Sequence, residues 1–347
     1  MATIYVDQGA TGANNGTSIT DAYTDPNSIT QSAGDIIRIV EGTYNITWTL
    51  QGSGTSSAPV KVVAINSSDV EYGYGDGAKV IFDAQSTRAY GINANTFEEY
   101  IWFNVGVINS TANGFDSGGA VVDNHMFNDC EFSNNSNAGI GVSFRFGQFI
   151  HCLFTGNDYG LMQNSSCSLI DCCFKNQTVY DVQGGLSQFI TRCLFVGSPI
   201  GVYYVTSSSN AIVKCCTFVG YTTAALSNGG LGLLVQDCMF HSCAINVENI
   251  GSADMLIKDN NSTYNATSTD PTTGRVTEIR PYIVESSDPF INKAGGDYML
   301  TAGSLSRNLE RKYDSNNTSY FANGALEPEE AASSGGIFTP KQRIHGV

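Results

Sequence analysis

Four residues recur through the middle of the chain at a nearly constant interval, and that interval leaves few folds open. The quartet reads DCEF at 129–132, HCLF at 151–154, DCCF at 171–174, RCLF at 192–195, CCTF at 215–218 and DCMF at 237–240. Degenerate copies stand at 104–107 (NVGV) and 261–264 (NSTY). The second positions are Val105, Cys130, Cys152, Cys172, Cys193, Cys216, Cys238 and Ser262, in steps of 25, 22, 20, 21, 23, 22 and 24 residues. A repeat of this length, each unit too small to bury a face alone, is the mark of a solenoid.

Each unit has the same grammar. An apolar alternation carries the quartet, and period two places Ile150, Cys152 and Phe154 on one face, as it does Ile170, Cys172 and Phe174. A polar turn follows (SNNSN, TGND, KNQT), then a second short strand (GIGVS, YGLMQ, YDVQG), then a Gly/Ser/Asn turn (NSS, GGLS, TSSSN). No helical period occurs, and the Leu/Asn framework of a leucine-rich repeat is absent. The expected fold is all-β, a single-stranded right-handed parallel β-helix. Coils stacked ~4.8 Å apart turn equivalent residues into ladders. Cys130, Cys152, Cys172, Cys193, Cys216 and Cys238 form one inward ladder; Phe132, Phe154, Phe174, Phe195, Phe218 and Phe240 form another.

The rest is read around this centre. Residues 34–44 look like the first coil, and 58–64 and 79–83 like strands of the next two. Open solenoid ends need covering. The expected organisation is therefore an N-terminal cap at 1–33, the β-helix at 34–269, C-terminal coils and cap at 270–327, and an extended arm at 328–347.

Composition narrows the partners. The 347 residues carry 17 Lys plus Arg against 32 Asp plus Glu, a formal charge of −15. Such a surface repels nucleic acid and anionic membranes. It also disfavours polyanionic glycans unless calcium or a local basic groove intervenes. The first residues show no basic and apolar leader, and no run of 18 apolar residues occurs. Synthesis in a cytoplasm is expected, with the ten cysteines reduced.

The residue before each ladder cysteine is expected to point outward: Asp129, His151, Asp171, Arg192, Cys215 and Asp237. Stacking puts His151 between two aspartates and Arg192 beside Asp171. The first reading is a solvated ladder in which opposite charges stack. The second is an acid–base column, and His151, Asp171 and Arg192 are then the catalytic candidates. Asp129 and Asp171, two coils apart, fit an inverting glycosidase pair only loosely. The aspartates at 69–76 read as a solvated loop rather than a calcium site. Adjacent cysteines such as Cys172 and Cys173 face opposite ways and do not converge on a metal. No metal and no cofactor is expected.

Both ends carry a resemblance. IYVDQGATGANNGTSITDAYT at 4–24, with AGDIIRIVEGTY at 33–44, resembles the opening of right-handed parallel β-helix repeat proteins of the pectate-lyase-like superfold. SDPFINKAGGDYMLTAGSLSRN at 287–308 and NGALEPEE at 323–330 resemble their closing segments. The resemblance specifies fold well and function poorly. Without a leader the chain is most similar to phage virion β-helix proteins. That implies a non-enzymatic capsid decoration or spike, located in the virion, trimeric, and bound to capsid or other virion proteins. On this reading the arm docks through Phe338, Lys341, Arg343 and Ile344, and no glycan is cleaved. The alternative is a polysaccharide-degrading enzyme, a depolymerase or lyase, acting on a host glycan.

Overall fold

The computed structural model describes residues 1–144, 146–162, 166–184, 188–204, 210–229, 232–249, 255–259, 261–266, 275–279, 282–292 and 297–300. The NSS, GGLS and TSSSN turns lie largely outside these residues, and the arm with Phe338, Lys341, Arg343 and Ile344 lies wholly outside them.

The chain is a right-handed parallel β-helix. Among the described residues three parallel sheets of 12, 11 and 9 strands run the length of the solenoid, and each strand pairs with its equivalents in neighbouring coils. Residues Phe149, Leu169 and Ile190 are in register in the first sheet; Phe154, Phe174 and Phe195 are in register in the second. The cap at the N-terminus joins this framework, because Thr3–Val6 pairs with Ile36–Val40 as the outermost strand of the first sheet. Arg275–Glu278 and Ile283–Val284 extend the first and second sheets at the other end.

The ladders are where the repeat puts them. All six ladder cysteines are at most 2% exposed, and so are the six phenylalanines. From Phe132 through Phe240 the rings of consecutive coils stack with centroids 5.2, 4.5, 5.0, 4.7 and 5.2 Å apart, close to the coil spacing. Room for the rings comes from glycine in the third sheet. A Cβ on Gly160 would stand 2.7 Å from Phe174 Cδ1. All ten cysteines are free thiols, nine of them buried. Ladder thiols donate to carbonyls two residues back, as Cys193 Sγ does to Thr191 at 3.3 Å.

Two expectations need correction. The quartet is not one alternating strand. Its first residue is a corner between the first and second sheets, in left-handed conformation: Asn104, Asp129, His151, Asp171, Arg192, Cys215 and Asp237 have φ between 52° and 57°. The corner breaks the alternation, so Phe149 and Leu169 face inward while Ile150 and Ile170 stand half-buried on the outer face. Nor do 58–64 and 79–83 belong to different coils. Val60–Ile65 and Val80–Asp83 are the first and second strands of one coil, and residues 66–79 are an insertion at its corner.

Candidate active site

The two left-handed corners of the coils from Asn104 to Ser242 differ in chemistry. The corner after the second strand is Asn109, Asn134, Gly156, Asn176, Gly197, Gly220 and Ser242, all but the last of them residue types that adopt positive φ at little cost. The corner after the first strand carries His151, Arg192 and Cys215 among its aspartates. A left-handed conformation costs such residues about 1 kcal/mol each. Backbone geometry therefore does not select them, and their side chains must.

Those side chains form a charged column. His151 Nδ1 lies 3.6 Å from Asp129 Oδ1, and Nε2 lies 3.6 Å from Asp171 Oδ2. These are charge contacts, longer than hydrogen bonds. Arg192 closes the column with a two-pronged pair, Nε to Asp171 Oδ1 at 2.8 Å and Nη2 to Oδ2 at 2.7 Å. Burial opposes charge on His151, but the two facing carboxylates outweigh it and raise its pKa to about 9. Burial likewise opposes charge on Asp171, and His151 and Arg192 together pull its carboxyl below the ordinary value.

The column is not the solvated ladder first expected. Side chains of Asp129, His151 and Asp171 are only 6%, 10% and 9% exposed, and Arg192 alone is open at 44%. The insertion 66–79 lies along this corner. Its base is pinned by Arg38, whose Nε meets Asp69 at 2.8 Å and whose Nη1 meets Glu71 at 3.0 Å. The Tyr72 hydroxyl donates to Glu41. Its tip is held by the corner itself: Asn104 Nδ2 donates to the Gly77 carbonyl at 2.8 Å, and the Gly75 N–H donates to Asp129 Oδ1 at 2.9 Å. Gly75 has φ 86°, which a residue with a Cβ adopts poorly.

That turn sets Tyr74 on His151. The phenol hydroxyl hydrogen-bonds to His151 Nε2, and the ring centroids are 3.8 Å apart. Tyr74 itself is 63% exposed. Cover over its hydroxyl, with the charges of Asp171 and Asp129, pushes the phenol up to about 12. The result is a chain Asp129–His151–Tyr74 in which the tyrosine is exposed as a residue while its hydroxyl is covered against His151, with Arg192 two coils beyond His151.

Sequence reasoning brought His151, Asp171 and Arg192 together, and the structure does so too. It missed Tyr74, which stands 77 residues from His151. The only signal was the run YGYGDG at 72–77, a tyrosine between glycines in an insertion. The inverting pair does not survive: Asp129 and Asp171 both turn onto His151 and neither faces solvent. Among the described residues no group of three or more His, Cys, Asp or Glu side chains is placed to hold a metal.

Neither a family model nor a curated protein matches the sequence. Solved structures do match the fold. The crystal structure of pectate lyase Pel9A superposes with a TM-score of 0.70 at 16% identity, over 94% of this chain and 96% of that one. The GH136 lacto-N-biosidase from Eubacterium ramulus gives 0.60 at 10% identity, over 82% and 68%. A rhamnogalacturonan lyase gives 0.57 at 13% identity, over 85% and 92%. At these identities the likeness shows the fold alone, and that fold is the pectate-lyase-like parallel β-helix.

Proposed function

We propose that this protein cleaves a uronate-containing polysaccharide by β-elimination at the charged corner. The observation that carries the reading is the Asp129–His151–Tyr74 chain, on whose column an open arginine stands two coils beyond the histidine. The lyase likeness of the fold supports it.

The chemistry needs a base for the proton on C5 of the uronate and a cation for the adjacent carboxylate. Arg192 supplies the cation, and Lys214 stands one coil on, in register with Thr191. Local positive charge of this kind lets an acidic glycan approach a chain of net charge −15. With His151 neutral, Asp129 keeps its proton on Nδ1, and Nε2 accepts the proton of Tyr74. The Tyr74 oxygen then takes the C5 proton as the C4–O4 bond breaks and the C4=C5 bond forms. The proton held by His151 returns through Tyr74 to the departing O4. The products are a new reducing end and a 4,5-unsaturated uronate, with no water consumed.

The test is the ultraviolet absorbance of the unsaturated product on polygalacturonate, rhamnogalacturonan and alginate. Product that is lost in Tyr74→Phe and in His151→Ala supports the reading. No product on any uronate glycan, or undiminished product in Tyr74→Phe, overturns it. The virion reading rests on sequence resemblance, and no feature of the fold favours it over cleavage.

A further inference from the structure

The corner after the second strand holds one residue that backbone geometry does not explain. Asparagine or glycine takes positive φ there in coil after coil, and Ser242, between Gly220 and Asn265 in that series, takes it at φ 51°. Asparagine and glycine tolerate this conformation, and serine gains nothing from it locally. Strain kept at one position of a repeat marks a place where the side chain is needed.

The Ser242 side chain has a partner that is itself held by a third residue. Its Oγ is 2.9 Å from Nδ1 of His241, the last residue of the strand Met239–His241. Nε2 of the same ring lies 3.1 Å from Asp288 Oδ1. Asp288 follows Ile283–Val284, which lies two strands on in the same sheet. Its carboxylate holds the ring proton on Nε2, and Nδ1 then accepts from the Ser242 hydroxyl. The contact to Asp288 is a charge contact rather than an aligned hydrogen bond, a looseness common in enzymes without substrate. His241 is 1% exposed with the Tyr264 ring 4.9 Å from its own, which keeps the imidazole in place. Ser242 is half-buried and Asp288 is exposed. The group stands at the opposite edge of the second sheet from the charged corner, four coils beyond His151.

We propose that Ser242, His241 and Asp288 form a separate active site, a serine esterase that removes a short acyl group such as acetyl from a sugar hydroxyl. Nucleophile, base and orienting carboxylate follow one another as acyl transfer requires. His241 Nδ1 takes the Ser242 proton as Oγ bonds to the ester carbonyl carbon. The tetrahedral adduct collapses, the C–O bond to the sugar breaks, and the proton on Nδ1 goes to the departing oxygen. Water then gives a proton to Nδ1 and its oxygen to the acyl carbon. The Ser242–acyl bond breaks, Oγ recovers the proton, and the acid leaves. Val219 and Met239, the apolar neighbours of His241 on the outer face, are already buried and offer no wall to a long acyl chain. Asp288, on a chain of net charge −15, disfavours an acyl group that is itself an acid. The sugar alcohol rests on the glycan reading above; the esterase itself does not.

The test uses the full chain and two probes that contain no glycan. A fluorophosphonate should modify Ser242, read by peptide mass spectrometry, and p-nitrophenyl acetate should be hydrolysed. His241→Gln should slow both at least about 100-fold, the contribution of a general base. Asp288→Asn, at an exposed position, should slow them at least about 10-fold, and Asp288→Glu should recover part of that loss. A contact that only holds the loop would not follow the charge in this way. Ser242→Gly controls for folding, because glycine takes this φ freely. It should melt no lower than the wild type and lose the acetate hydrolysis. An unmodified Ser242, modification at the wild-type rate in Asp288→Asn, or wild-type hydrolysis by Ser242→Gly would overturn the proposal.

Discussion

Asp181 should make the stability of this protein depend on pH in a way that one isosteric substitution removes. The residue takes the inward place that Gly160 and Gly201 occupy in the neighbouring coils, and it is fully buried. Its carboxyl accepts hydrogen bonds from the Ser198 and Tyr221 hydroxyls, and among the described residues no cation pairs with it. Burial raises its pKa from 3.8 to about 8, and the two hydroxyls offset only part of that rise. A raised folded pKa means that the folded state binds the proton more tightly than the unfolded chain. Stability from this group is therefore complete below the unfolded value and is lost as pH climbs towards 8. At ~1.4 kcal/mol per unit, the ceiling on that loss between pH ~4 and pH ~8 is ~5 kcal/mol. Asp181→Asn keeps the shape and cannot ionise. At pH ~4.5 it should match the wild type to within ~1 kcal/mol, since an amide replaces a neutral acid. At pH ~8 it should be the more stable protein by ~2–4 kcal/mol. Urea unfolding of both proteins across this range measures the difference. The remaining charges titrate alike in both and cancel. A wild-type-to-variant gap that stays constant with pH would show that Asp181 is not a buried neutral acid, and the reasoning would fail.

Other outcomes follow from the ladders and the corner. Phe174→Ala removes a fully buried ring stacked on Phe154 and Phe195 and should cost roughly 3–5 kcal/mol in unfolding free energy; a loss under ~1 kcal/mol would contradict the stack. A thiol reagent should label Cys215 first in the native protein, because the other nine are buried and burial pushes a thiol such as Cys173 up to about 12. All ten should react after denaturation, and rapid native labelling of the ladder would refute its inward placement. Elimination activity should rise with pH through about 9, the point at which His151 loses its proton. A profile already flat from pH ~6.5, the ordinary histidine value, would remove His151 from the proton path. Arg192→Ala should raise KM for uronate glycans more than it lowers kcat, because the guanidinium binds the carboxylate before and during reaction.

The repeat was legible because a solenoid writes its tertiary contacts into its period. Equivalent residues touch one coil later, so a Cys and a Phe every 20–25 residues already state which side chains stack. The Asn and Gly of the second corner belong to the same local code, since positive φ selects those residue types. The charged column was half legible for the same reason. His151, Asp171 and Arg192 are one coil apart and meet by translation alone. Three things were decided by the tertiary structure. The left-handed corner moved Ile150 and Ile170 off the inner face, which an unbroken alternation cannot show. Asp181 reads in sequence as an ordinary strand polar residue, and only the glycine-lined interior around it makes it a buried acid. Tyr74 sits on an insertion that interrupts the period, and no translation relates it to His151. Its place depends on Arg38, Asn104 and Asp129 holding a loop whose contacts span many coils, and contacts without periodicity leave no pattern along the chain.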